Sequence, residues 1–67
     1  MDTTAYIPAR KIREQAGISK ERLAADAELS YASIERFERG FNIGTKHARR
    51  IAQILGCTLN DLYGEAS

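Results

Sequence analysis

The residues best equipped for chemistry lie between Tyr31 and Arg39, in the run YASIERFER. Wound as a helix at about 100° per residue, this run separates into two faces. Ser33, Ile34, Phe37 and Glu38 fall on one side, and Tyr31, Ala32, Glu35, Arg36 and Arg39 on the other. The first side suits a protein core. The second offers a phenol, a methyl-sized side chain and two guanidiniums. A guanidinium can donate paired hydrogen bonds to O6 and N7 of guanine or grip a phosphate, and a phenol or a methyl can meet a base edge. A short helix with an apolar back and a cationic, forked front is of a size that the major groove of DNA admits. No catalytic arrangement competes with this reading. The sequence offers no nucleophile beside a base, no paired carboxylates and no glycine loop for a phosphate. His47 stands next to Lys46 without thiol or carboxylate neighbours, as a surface group. An enzyme is not expected, nor a cofactor or a metal.

The elements that must position this run are also helical, and no stretch alternates with the period of a strand. A first helix is predicted from Pro8 to Ala16, because proline fits the first helical position and Gly17 supplies a stop. Ala9, Ile12, Arg13 and Ala16 share its inner face. A second begins after Ser19, a natural N-cap, with Glu21 near its positive end and Leu23, Ala24 and Ala27 inward. The joint Ala27-Glu28-Leu29-Ser30 follows. Leu29 plugs the corner, Ser30 caps the third helix and Gly40 ends it. A loop, Phe41 to Gly44, leads to a fourth helix with Thr45 as the expected N-cap. Its inward stripe is Ala48, Ile51, Ala52 and Leu55, with Lys46, Arg49, Arg50 and Gln53 opposite. Gly56 ends it, and Thr58 with Asp61 forms a capping-box start for a last turn through Leu62 and Tyr63. Ile54 and Phe41 fit no inward stripe, which makes them spare core or subunit contacts. The ordered core is expected over about 7–63, with frayed ends at 1–5 and 64–67.

Size and composition bound the rest. With 67 residues, 43% hydrophobic and 28% charged, the chain is one ordinary globular domain. A domain this small buries only roughly 60% of its extended surface, so its stability is marginal. One cysteine excludes an internal disulfide, and the apolar runs fall far short of the ~20 residues that span a bilayer. The start, MDTTAYIPARK, lacks the pattern of a secretory signal, which points to the cytoplasm and away from membranes. Net charge is only +1, yet residues 30–50 hold Arg36, Arg39, Lys46, Arg49 and Arg50 against Glu35 and Glu38. The positive charge is thus concentrated where the cationic helix lies.

Taken in order, several short motifs resemble the lambda-repressor-like helix-turn-helix family, often called the Xre/Cro family. They are Ile12-Arg13 with Gly17-Ile18-Ser19, then Leu23-Ala24, Leu29-Ser30, and the run Ile34 to Gly40. Ile51-Ala52, Leu55-Gly56 and Leu59-Asn60-Asp61-Leu62 follow. Each is weak alone, and the joint spacing from Ile12 to Leu62 carries the resemblance. It implies an all-α, compact five-helix domain with its helix-turn-helix at about 19–39, the second helix of the motif lying in the major groove. The family's base-reading places match Tyr31, Ala32 and Arg36, and its phosphate-gripping places match Ser19, Lys20, Arg39, Asn42 and Lys46. An arginine of the first helix paired with a glutamate late in the recognition helix matches Arg13 and Glu38. The inward position of Glu38 independently demands a partner, because a lone buried carboxylate is costly.

Two departures stand out. Glu28 occupies a turn position where the family often has glycine; a left-handed backbone there costs glutamate about 1 kcal/mol, which opens the turn to alteration. Glu35 lies on the outward face. There it would repel phosphates, accept a bond from cytosine N4, or simply pair with Arg39 one turn on. Cys57 takes a place that is usually small and apolar in the family, so a buried inert thiol is the default and a subunit disulfide the rarer option.

The function implied is a sequence-specific transcriptional regulator of double-stranded DNA, a repressor in the first instance. With no further sensing domain expected after the last helix, control would come from concentration, dimerisation or a protein partner. Homodimerisation on a near-palindromic site is the usual remedy for weak single-domain binding, with Ile54, Cys57, Leu59 and Tyr63 as the expected contact. Two rivals keep the fold. One is the antitoxin of a toxin–antitoxin pair, which binds operator and toxin. The other is an anti-activator that binds a protein activator and has lost DNA.

Overall fold

The computed structural model describes residues 6–64; of the ends expected to fray, 1–5 and 64–67, only Gly64 lies among them, and its amide bonds the Asn60 carbonyl at 2.8 Å. Five helices follow one another: α1 (Pro8–Gln15), α2 (Lys20–Ala27), α3 (Tyr31–Glu38), α4 (Thr45–Leu55) and α5 (Leu59–Tyr63). No strand occurs among the described residues. This is the all-α, five-helix arrangement expected from the sequence.

Local chemistry accounts for most boundaries. Ser19 Oγ accepts from the Arg22 amide at 3.0 Å and Ser30 Oγ from the Ser33 amide at 3.1 Å, satisfying orphan donors at two helix starts. Thr58 and Asp61 exchange reciprocal bonds of 3.1 Å, a capping box. Helix α3 closes with the Gly40 amide on the Phe37 carbonyl at 2.9 Å and the Phe41 amide on the Arg36 carbonyl at 3.0 Å. That double bond requires a positive φ, here +97° at Gly40, and it stops the helix.

Three expectations need correction. Helix α1 stops at Gln15, and Ala16 is its exposed C-cap rather than part of the inner face. Helix α4 begins one residue early: Gly44, not Thr45, is the N-cap, and its carbonyl accepts from the Ala48 amide at 3.1 Å. The reason lies in the loop, where Asn42 Oδ1 accepts from the Gly44 amide at 2.8 Å and turns the chain before Thr45. The α2–α3 turn, in turn, is unaltered by Glu28. That residue adopts φ 61° and ψ 42°, the only positive-φ non-glycine among the described residues. The amides of Glu28 and Leu29 bond the Ala25 and Ala24 carbonyls at 3.2 and 2.8 Å, and Leu29 packs against the core. Those bonds outweigh the cost of a left-handed glutamate.

Helix α2 packs on α3 and α4, α1 on α3 and α5, and α4 on α5. Leu23, Ile34, Phe37, Ile51 and Leu62 fill the centre, with the small residues Ala9, Ala24, Ala27, Ala48 and Ala52 letting helices approach. The Tyr63 ring meets Phe37 edge-on, centroids 5.7 Å apart. Ile54, which fits no inward stripe, packs against the core, and so do Cys57 and Leu59. Phe41 stays 60% exposed.

Candidate nucleic-acid interface

The outward face of α3 is set by what holds its back. Ile34, Phe37 and Glu38 are each 0% exposed, so the helix cannot roll about its axis without emptying the core. Its far end is tied by an ion pair: Arg13 Nε donates to Glu38 Oε2 at 2.6 Å and Nη2 to Oε1 at 3.4 Å. Arg13 Nη1 also donates to the Ile18 carbonyl at 2.8 Å, so one guanidinium joins α1, the loop after it and α3. The Ile7 amide adds a bond to the Glu38 carbonyl at 2.8 Å. No buried side-chain nitrogen or oxygen among the described residues lacks a partner, which is the condition under which a buried pair is tolerable.

On the front, Tyr31 (49% exposed), Ala32 and Arg36 face solvent together. Among the described residues Arg36 has no ion-pair partner, so its fork is available to an incoming acceptor. Lys20 and Arg39 differ. Lys20 Nζ donates to Glu35 Oε1, and Arg39 Nε donates to Glu35 Oε2 at 2.7 Å. Glu35 therefore does more than pair with Arg39: it links the start of α2 to the end of α3. The bond from Lys20, then that from Arg39, holds its carboxyl below the usual glutamate range. The same bond raises the Lys20 ammonium above its ordinary value, against the opposing pull of burial. Lys20 Nζ also lies 5.7 Å from the Tyr31 ring centroid.

The remaining predicted contacts surround this face. Ser19 is exposed at the N-cap of α2, its oxygen accepting from Arg22 while its hydroxyl proton is still able to donate. Asn42 uses its carbonyl oxygen on the Gly44 amide, which leaves its amide hydrogens facing outward from an exposed loop. Lys46 stands exposed at the start of α4, on a shallow surface shared with Arg49 and Arg50. Arg50 Nη2 is 3.7 Å from Glu28 Oε1. His47 Nδ1 donates to the Ile43 carbonyl at 3.0 Å, a structural bond.

Two features escaped the sequence reading. Phe41 lines an open niche with Arg36, Ser33 and Asn42 beside the reading face. Tyr6 is covered by two guanidiniums, with Arg10 Cζ 4.1 Å and Arg39 Cζ 5.6 Å from its ring centroid. An exposed aromatic just after the recognition helix was a visible signal for the first. Nothing in the local pattern marked the second.

The residues expected at a subunit contact, Ile54, Cys57, Leu59 and Tyr63, are all partly buried in the chain's own core, with part of each surface left open. Burial, followed by the nearby Asp61 charge, pushes the Cys57 thiol above its ordinary pKa, which makes it a poor nucleophile.

Helix α3 is thus held by a buried inner side, capped at both ends, and carries an exposed arginine without an ion-pair partner among the described residues. The family comparison agrees: the helix-turn-helix model HTH_3 matches residues 10–62, most of the chain. The chain belongs to this lambda-repressor-like helix-turn-helix family, a family of DNA-binding regulators and not of enzymes. Comparison with curated proteins returns no match. No helix among the described residues is long and apolar enough to cross a membrane, and no group of three or more His, Cys, Asp or Glu there could hold a metal ion.

Proposed function

We propose that this domain is a sequence-specific transcriptional repressor that binds a near-palindromic operator as a homodimer. The observation that carries the reading is Arg36: exposed at the centre of a helix whose other face is locked into the core, and without an ion-pair partner among the described residues. In this reading Arg36 donates its fork to guanine, Tyr31 and Ala32 meet neighbouring base edges, and Ser19, Lys20, Arg39, Asn42 and Lys46 engage phosphates. Two copies joined through the open parts of Ile54, Cys57, Leu59 and Tyr63 would place their α3 helices about 34 Å apart, one turn of DNA.

A second reading is favoured by one observation. Glu35 already engages two of the expected phosphate-gripping cations, Lys20 and Arg39, and offsets part of their charge, which suits a domain that docks on a protein such as an activator. A gel shift of the purified protein on the DNA upstream of its own reading frame separates the two. A repressor shifts that DNA, loses the shift steeply with salt and fails on Arg36→Ala. An adaptor gives no shift at any salt, and the proposal then falls.

A further inference from the structure

Glu35 is the one acid on the outward face of α3, and both of its oxygens are taken. Oε1 accepts from Lys20 at the start of α2, and Oε2 accepts from Arg39 at the end of α3, at 2.7 Å. A DNA phosphate offers the same chemistry as this carboxylate, an anion with several acceptor oxygens that two cations can share. Arg36 stands on the same helix face without such an acid. The face therefore carries cations of two kinds: one ready for any acceptor, and two that share a carboxylate.

We propose that Glu35 is an internal counter-ion in the place of a phosphate between Lys20 and Arg39. It suppresses sequence-independent binding while leaving Arg36 to read bases. The proposal rests on the DNA-binding reading above. Sequence-independent affinity comes from cations that neutralise phosphates and release counterions. A phosphate approaching Lys20 or Arg39 must displace the Glu35 carboxylate or lie beside it against its charge. That penalty falls on every DNA sequence alike. The affinity that remains therefore depends more on what the Arg36 fork and the Tyr31 edge meet, and less on the phosphates that every sequence offers.

The test needs no knowledge of the operator. Wild type, Glu35→Gln, Lys20→Gln and the double variant are titrated with a random-sequence duplex by fluorescence anisotropy over a salt series, after melting curves establish that each is folded. Glu35→Gln keeps the side chain's shape and removes its charge. Recovery of one phosphate contact steepens the plot of log affinity against log salt by about 0.9, equivalent to roughly eightfold tighter binding at about 0.1 M salt. Adding Lys20→Gln to Glu35→Gln is expected to abolish most of that gain, because Lys20 is a cation that the loss of the carboxylate releases. Equal affinity and slope for wild type and Glu35→Gln would overturn the counter-ion role while leaving DNA binding intact. Weaker binding by Glu35→Gln would overturn it too, by making the carboxylate a supporting contact. Absence of binding by every variant down to about 50 mM salt, where phosphate contacts are strong, would sink both this proposal and the DNA-binding reading beneath it. Should Glu35→Gln fail to fold, Glu35→Ala supplies the same comparison.

Discussion

Helix α3 carries two carboxylates, Glu35 and Glu38, that live in opposite surroundings. Glu38 is wholly buried, meets a 7% exposed Arg13, and has each oxygen accepting from a guanidinium of another helix. Glu35 sits at the solvent edge and shares two cations that water also reaches. The same functional group thus serves the fold in one place and edits the surface charge in the other. What separates them is dielectric. A buried pair is strong only as a pair, and removing one half leaves a charge without solvent, whereas an edge pair can be dissolved with little effect on the fold.

The comparison can be broken most directly at Glu38. Replacing it by Ala strands Arg13 and is expected to cost about 3–5 kcal/mol, a large part of the roughly 5–15 kcal/mol that holds a domain together. Thermal melting followed by circular dichroism reads this as a collapsed transition, and an unchanged melting point would contradict the pairing. Exchanging both partners for apolar residues, Arg13→Met with Glu38→Leu, should restore most of the loss, because no charge is then left behind. Next in size is Arg36→Ala, which touches neither carboxylate. Operator affinity should fall by about 1–3 kcal/mol with the melting point unmoved. Equal loss on random DNA would mean that Arg36 holds a phosphate rather than a base.

A smaller effect is expected away from α3. Glu28→Gly relieves a left-handed glutamate and should stabilise the domain by about 1 kcal/mol, visible as a higher midpoint in urea. The smallest effect concerns pH and sharpens the contrast itself. The folded value of Glu35 is depressed, so the stability it lends is fully present above the ordinary glutamate value of 4.5 and is lost as pH falls through the folded value. Lys20 is raised, so its share is fully present below 10.5 and disappears only as pH climbs through the folded value. An NMR titration of the Glu35 carboxyl should show a midpoint below 4.5 that moves upward in Lys20→Met.

Much of the fold could be read from the chain because its signals are local. Ser19, Ser30 and Thr58 cap helices through bonds to residues three positions on, and the inward stripes follow helical spacing within single elements. The Arg13–Glu38 pair was legible for a different reason: a carboxylate on an apolar face needs a cation, and the family resemblance named one. Lys20 and Glu35 were not paired in advance, since they are 15 positions apart on separate helices and only the docking angle of α2 on α3 brings them together. Gly44 displaced Thr45 as a cap because the deciding bond comes from a side chain two residues earlier, Asn42. Glu28 shows the limit of a glycine rule. The turn's two amide bonds and the seating of Leu29 impose the geometry, and the residue type sets only its cost.

Cys57, in the joint between α4 and α5 and disinclined to ionise, gives the molecule a built-in reporter. Part of its surface is open, so a maleimide or aromatic disulfide reagent reaches the thiol in the folded chain at a rate held down by its reluctance to ionise. Slower labelling at higher protein concentration would register a second copy closing over that surface.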